Sequence, residues 1–170
     1  MDARRDGEPA PGRHRTTVER TSEREVVVTR TFDAPARIVF EAWTRPELFT
    51  RWWLRKSLGM TLRSCEMDVR AGGKYRLVFE PDGMAFFGTY LAVIPNSRLV
   101  WTNEEGGEGG SVTTVTFEEK DGRTLLVMRE RYASKEALDA AGTGAAEATV
   151  ETFAQLDALL VTLGAGAEAS

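Results

Sequence analysis

Val69–Thr102, VRAGGKYRLVFEPDGMAFFGTYLAVIPNSRLVWT, divides itself into three antiparallel strands. Gly72-Gly73 opens the first, Pro81-Asp82-Gly83 turns it into the second, and Pro95-Asn96-Ser97 leads to the third. These residue types supply the positive or fixed φ angles that tight turns require. Between the turns the side chains are aromatic or branched, which suits a pleated surface with one buried face. The rest of the chain is read by what it adds to this sheet.

Toward the N-terminus, Glu25–Phe32 (EVVVTRTF) is a further strand, stopped by Asp33-Ala34-Pro35. Pro35 has the φ of a helix start, and Asp33 is placed to cap the exposed amides there. A helix over Arg37–Trp43 brings Ile38 or Val39 to the same side as Ala42 and Trp43. Thr44-Arg45-Pro46-Glu47 starts a second helix: Thr44 and Glu47 have capping-box spacing, and Pro46 falls in the first turn. Leu48, Phe49, Trp52 and Trp53 follow at helical spacing, where aromatic rings are expected in the core. A loop over Leu54–Arg63 leads to a strand near Ser64–Val69.

Toward the C-terminus, Glu104–Gly110 (EEGGEGG) is a hairpin loop without the alternating oxygen ligands of a calcium site. Ser111–Glu119 and Arg123–Tyr132 make another hairpin through Lys120-Asp121-Gly122. Ala145–Leu163 is a long helix. On a wheel of 3.6 residues per turn Val150, Leu156, Leu160 and Leu163 fall within roughly 80° of Phe153. Gly164 and Gly166 are expected to end it. The order is one strand, two short helices, six strands and a long helix. This predicts an α+β fold with a curved antiparallel sheet of about seven strands, its concave face spanned by the C-terminal helix. A helix that spans rather than fills that face leaves a cavity between helix and sheet. Residues 1–23, rich in arginine (Arg4, Arg5, Arg13, Arg15, Arg20) but mixed with Gly, Pro and acids, read as a disordered tail. The domain is expected over 24–164, with 165–170 as a flexible C-terminus.

Composition narrows the function classes. Hydrophobic residues make up 42% and charged residues 28%, the balance of a globular domain. No apolar run approaches a membrane span, and without a charged-then-apolar stretch at the start no signal segment is expected. The single Cys65 cannot form an internal disulfide, so a cytoplasmic setting and an inert strand cysteine are expected. A net charge of −4 without a basic cluster in the folded part does not suit nucleic acid. The only histidine, His14, lies in the tail, which removes the commonest general base and any His/Cys zinc cluster. There is no phosphate loop, so no cofactor is expected. Monomer and homodimer both fit.

RTFDAP, EAWTRPELFTRWW, VRAGGKYRLVFEPDG and FGTYLAVIPNSRLVWT, taken together, resemble the homologues of the heat-shock-protein-90 ATPase activator. That family lies within the START-like (SRPBCC) superfamily, which also holds the major birch-pollen allergen. The resemblance spans residues 24–163. It implies the helix-grip (Bet v 1-like) fold, with a hydrophobic cavity between the sheet and the C-terminal helix. Trp43, Thr44, Pro46, Trp53, Gly72, Gly73, Gly83, Gly88 and Pro95 match family motifs and coincide with caps, turns and core; none is carried over as catalytic. Relatives keep a Gly-Trp pair near the start of the last helix, where this chain has Ala148-Thr149. That departure implies a larger or more polar cavity.

Strand parity supplies the candidate lining. Tyr75, Leu77 and Phe79 share a face with Leu99, Trp101 and Asn103, and with Thr113, Val115 and Phe117. Leu126, Met128, Glu130 and Tyr132 continue it, with Arg129 and Arg131 on the outer face, while Phe153 and Leu160 approach from the helix. Asp157 falls inside the apolar stripe, roughly 40° from Phe153. A carboxylate there needs a partner, for which Arg30 and Tyr132 are the candidates. Asp157, with Glu130 or Tyr132, is the candidate polar anchor for an apolar ligand. The competing expectation is a satisfied structural pair, or a carboxylate reaching solvent at a rim. The functional expectation is non-enzymatic binding of a hydrophobic small molecule. A chaperone-associated role is one alternative, although the full eukaryotic activator has an additional N-terminal domain that the tail is not expected to replace. The other is a cyclase or hydrolase acting on an aromatic or polyketide-like substrate, against which the missing pocket histidine argues.

Overall fold

A computed structural model of the protein describes residues 15–80, 83–104, 110–142 and 144–169, without the side chains of 144, 145 and 164–169. His14, the Pro81-Asp82 corner and most of the Glu104–Gly110 loop lie outside the described residues.

Eight strands form one antiparallel sheet: β1 (Thr17–Arg20), β2 (Glu25–Phe32), β3 (Thr61–Met67), β4 (Lys74–Glu80), β5 (Ala85–Ile94), β6 (Arg98–Asn103), β7 (Ser111–Lys120) and β8 (Arg123–Tyr132). Their spatial order is β1-β2-β8-β7-β6-β5-β4-β3. After β2 the chain passes through α1 (Ala36–Thr44) and α2 (Pro46–Phe49) to the opposite edge, then returns strand by strand until β8 pairs with β2. Three further helices follow, α3 (Lys135–Ala141), α4 (Gly144–Glu147) and the long α5 (Thr149–Ala169). None of the described helices is long and apolar enough to cross a membrane.

The α+β helix-grip reading holds, with eight strands rather than about seven. The added strand, β1, lies in the stretch read as tail, pairing Val18 with Val28. Its Val18 packs on the core, but a single apolar residue in four gives no readable alternation. Arg20, assigned to the same tail, pairs with Asp139 at 2.8 Å. β3 starts at Thr61 rather than near Ser64, and a register shift between Leu62 and Ser64 interrupts its parity. The C-terminal helix begins at Thr149 and runs through Gly164 and Gly166 to Ala169. Glycine weakens a helix without forbidding it, and the alanines around these two positions are strong helix formers. α3 went unread although Ser134 caps it, accepting the Ala137 N–H at 3.0 Å.

The turns follow the sequence closely. Asn96 (φ 62°), Asp121 (φ 57°) and Gly122 (φ 78°) occupy the left-handed region that their turns demand. The helix caps differ. Asp33 pairs with Arg123 at 3.1 Å, and the Ala36 amide is satisfied instead by Glu119 Oε1 at 2.9 Å. No capping box forms at α2, because the Thr44 hydroxyl donates back to the Phe40 carbonyl at 2.9 Å and Glu47 takes Arg45. Both changes exchange a local cap for a neighbouring partner.

Candidate functional site

The concave face of the sheet has two differently covered halves. Over β2, β8 and β7, helices α1 and α5 pack directly on the strands. Trp43, Trp52, Phe32 and Phe153 are fully buried there. Trp43 meets Trp52 edge-on at 4.8 Å between ring centroids, and Phe32 meets Phe153 at 5.7 Å. Trp52 gives its indole N–H to the Ala42 carbonyl at 2.9 Å. The space under the long helix is therefore filled by rings.

Over β3–β6 the cover is Trp43 from the end of α1, then α2 and the residues that follow it, and a hollow of ≈ 40 Å³ remains. Its sheet wall is Met67 of β3, Tyr75 and Leu77 of β4, Phe86 and Tyr90 of β5, and Trp101 and Asn103 of β6. Trp43, Phe49 and Trp53 close it from above. Gly88 shapes this wall: a Cβ there would lie 1.9 Å from the Thr102 carbonyl oxygen and 2.9 Å from the Tyr75 ring. Glycine thus lets β5 and β6 approach while the Tyr75 ring lies against them.

The polar groups of the sheet wall largely satisfy one another. Tyr75 directs its hydroxyl at the Thr102 carbonyl (2.8 Å) and at Asn103 Oδ1 (3.1 Å). Trp101 donates its indole N–H to the same Oδ1 at 3.2 Å. Asn103 Nδ2 in turn donates to the Ser111 hydroxyl (2.9 Å) and the Thr113 hydroxyl (2.8 Å). Burial, and secondarily the Cys65 sulfur, push the Tyr90 phenol far above its usual range. Burial and then Glu66 push the Cys65 thiol up as well, so this cysteine is not a thiolate nucleophile. Among the described residues no group of three His, Cys, Asp or Glu is placed to hold a metal.

The structure sorts the residues singled out in the sequence. Tyr75, Leu77, Trp101 and Asn103 border the hollow. Phe79, Val115, Phe117, Met128, Phe153 and Leu160 are buried in the packed core. Tyr132 borders a shallow rim hollow beside Asn103 and Ser111, and Glu130, half-buried on the same strand, lies away from the cavity. Asp157 pairs with Arg30 Nη2 at 3.3 Å, so Arg30 rather than Tyr132 is the ion partner. The Arg30 guanidinium is nearly buried, lies 5.2 Å from the Phe32 ring centre and reaches the Thr16 hydroxyl at 3.3 Å. Burial draws its pKa down, opposed by the charges of Asp157 and Asp33. No residue of α5 borders the hollow, because the rings of Trp43, Trp52 and Phe153 occupy the space beneath that helix. Thr149 is buried too, but its hydroxyl donates to the Ala146 carbonyl and adds no polarity to the cavity.

Sequence reasoning missed Trp43, Phe49, Trp53, Met67, Phe86 and Tyr90 as cavity residues. Phe86 and Tyr90 were within reach, since they alternate along β5 on either side of Gly88. The others required knowing that α2 sits over β3. The segment after α2 is itself anchored to the first turns of α5. Glu151 accepts the Ser57 amide (2.8 Å), the Ser57 hydroxyl (2.7 Å) and Arg55 Nε (3.0 Å). Gln155 donates to the Trp52 carbonyl (2.9 Å) and the Leu54 carbonyl.

Residues 33–161 match the family described as Activator of Hsp90 ATPase homolog 1-like protein. Among solved structures, a protein of Rhodobacter sphaeroides is 27% identical with a TM-score of 0.78, the alignment covering 87% of this chain and 99% of that one. A Nitrosomonas europaea protein is 22% identical (TM-score 0.73), covering 86% of this chain and 99% of its own. CalU16 of Micromonospora echinospora is 22% identical (TM-score 0.61), covering 86% and 84%. The last two likenesses concern the fold alone. No protein of curated function matches the chain.

Proposed function

The chain belongs to the family of Activator of Hsp90 ATPase homolog 1-like proteins, and from its aromatic hollow we propose that it binds a hydrophobic small molecule without transforming it. The observation that carries this reading is the wall itself: seven aromatic side chains and no charged one line one partly open hollow. Pockets of this composition, with a few placed polar groups, are the usual form of small-molecule sites. Tyr75, Trp101 and Asn103 are spent on each other and supply no acid–base pair, which favours binding over catalysis.

The hollow of ≈ 40 Å³ holds little more than water as it stands. A ligand therefore enters by displacing the half-buried rings of Trp53 and Phe86 on the solvent side. Native mass spectrometry of the purified full chain tests the reading, with a co-purified small molecule as the expected result. Quenching of tryptophan fluorescence by single-ring hydrophobic compounds, weakened in Trp53→Ala, is the matching solution signal. If nothing co-purifies and no such compound perturbs the fluorescence, the reading fails. The family's description favours a second reading, association with a chaperone ATPase. Stimulation of Hsp90 ATP hydrolysis by the purified chain would establish it, and a flat response would reject it. The lone, unpaired Cys65 supports placing either activity in the cytoplasm.

A further inference from the structure

Resting on the small-molecule reading of the cavity, we propose that its occupant is a neutral, single-ring aromatic carrying a hydrogen-bond acceptor, held by the indole N–H of Trp43 and the hydroxyl of Tyr90. The three tryptophans around this region with known bonding differ in one respect. Trp52 donates to Ala42 and Trp101 donates to Asn103, but the Trp43 Nε1–H is fully buried and meets no acceptor. Native interiors leave few donors in that state, and each one asks what group completes it. Trp43 also lines the cavity, and because its N–H is sealed from the hollow as it stands, the completing acceptor is one that a ligand carries in as the wall rings move aside. Tyr90 lines the same space, is 5% exposed, and its hydroxyl makes no hydrogen bond to a described residue.

The surroundings fix the chemistry of the acceptor. An indole N–H can only donate, and the one strong acceptor in the wall, Asn103 Oδ1, already receives Tyr75 and Trp101. The cavity thus has two uncommitted donors, the Trp43 N–H and the Tyr90 O–H, and of these only the Tyr90 oxygen can also accept. No Lys, Arg or His lines it, so a carboxylate or phenolate would lose its hydration without gaining a counter-charge. Aryl ketones, aldehydes and esters satisfy all three conditions. Their rings suit the aromatic surfaces of Trp43, Phe49 and Trp53, which meet one another edge-to-face (Trp43–Trp53) and stacked (Phe49–Trp53).

The test titrates the full chain with acetophenone, ethylbenzene and benzoate, following tryptophan fluorescence and the indole N–H resonances. Acetophenone is expected to bind about tenfold more tightly than either of the others, the worth of one well-made hydrogen bond to a buried donor. It should also move one indole proton downfield. That resonance is assigned through Trp43→Phe, or by elimination with Trp52→Phe, Trp53→Phe and Trp101→Phe, each made singly, if the first variant does not fold. Tyr90→Phe, which removes one oxygen, should lose about fivefold for acetophenone and nothing for ethylbenzene. Equal affinity for acetophenone and ethylbenzene, with unmoved indole protons, overturns the polar anchor while leaving a hydrophobic site in place. Benzoate binding as tightly as acetophenone overturns the requirement for a neutral ligand. Failure of all three to bind overturns this inference together with the reading on which it rests.

Discussion

The two ends of the concave face are built from the same sheet and the same kinds of side chain, yet one is solid and the other hollow. Around β2 and β8, a 21-residue helix brings Phe153, Leu156 and Leu160 against rings from α1 and β2, all of them essentially excluded from solvent. Around β4 and β5, the cover is Trp43 from the end of α1, a four-residue helix and an irregular segment, and Trp53 and Phe86 stay half-buried. A long amphipathic helix has enough side chains in register to fill a concavity. A single helical turn does not, so the unfilled space moves to where the cover is shortest. Hollowness here is a property of the cover, since both halves of the sheet present large apolar side chains to it.

The sharpest way to break this comparison is to remove one ring from each half. Phe153→Ala empties a fully buried site and should destabilise the domain by about 3–5 kcal/mol. Trp53→Ala removes a larger side chain from a wall that already borders space, and should cost well under half of that. Urea unfolding of both variants decides the matter. Equal losses would mean that the hollow half is as tightly packed as the other.

A smaller effect probes what holds the solid half in register. Asp157 is partly exposed, whereas its partner Arg30 is nearly buried and leaves Nε without an acceptor. Asp157→Leu strands that cation, and a loss of about 2 kcal/mol is expected, below the range for fully buried pairs because Asp157 still meets water. Adding Arg30→Met should recover most of the loss, since an apolar pair of similar volume replaces the ionic one. A double variant no more stable than Asp157→Leu would assign the cost to lost helix packing instead. Ligand affinity should be unchanged in both, because neither residue borders the cavity.

How far the sequence could be read depends on the range of the interaction concerned. Turns are local, so Asn96, Asp121 and Gly122 were legible from residue type alone. The helix-grip order followed from periodicity and from the family motifs. The caps were not legible, because Asp33 and Thr44 found partners in Arg123 and Phe40 rather than in their own helix starts. Nor was β1, with one apolar residue in four. The candidate site divided in the same way. Parity placed Tyr75, Leu77, Trp101 and Asn103 on the inner face, where they border the hollow. It also placed Met128 and Val115 there, but whether an inward residue lines space or fills it is set by the covering layer, which strand parity does not contain. Asp157 was legible as a residue requiring a partner, and Arg30 was one of the two candidates.

The smallest effect concerns the strap that joins the two halves. Glu151, on the solid half's helix, binds the Ser57 hydroxyl, the Ser57 amide and Arg55 in the segment flanking the cavity. Those bonds, the Ser57 hydroxyl first, hold its carboxyl below the usual glutamate range. A folded pKa lower than the unfolded one means that the contribution is complete above the unfolded value, near pH 4.3, and is lost as pH falls through the folded value. Glu151→Gln should therefore lower the unfolding midpoint slightly at neutral pH, with the difference from the wild type closing as pH drops below the glutamate range. Amide exchange at Lys56 and Ser57 should quicken at neutral pH while the core amides of β8 and α5 stay protected. That outcome would make the cavity's cover a locally opening unit resting on a solid half that does not move with it. Exchange that quickened everywhere at once would show instead that the strap is part of the global fold, and the contrast between the halves would then be one of packing without one of dynamics.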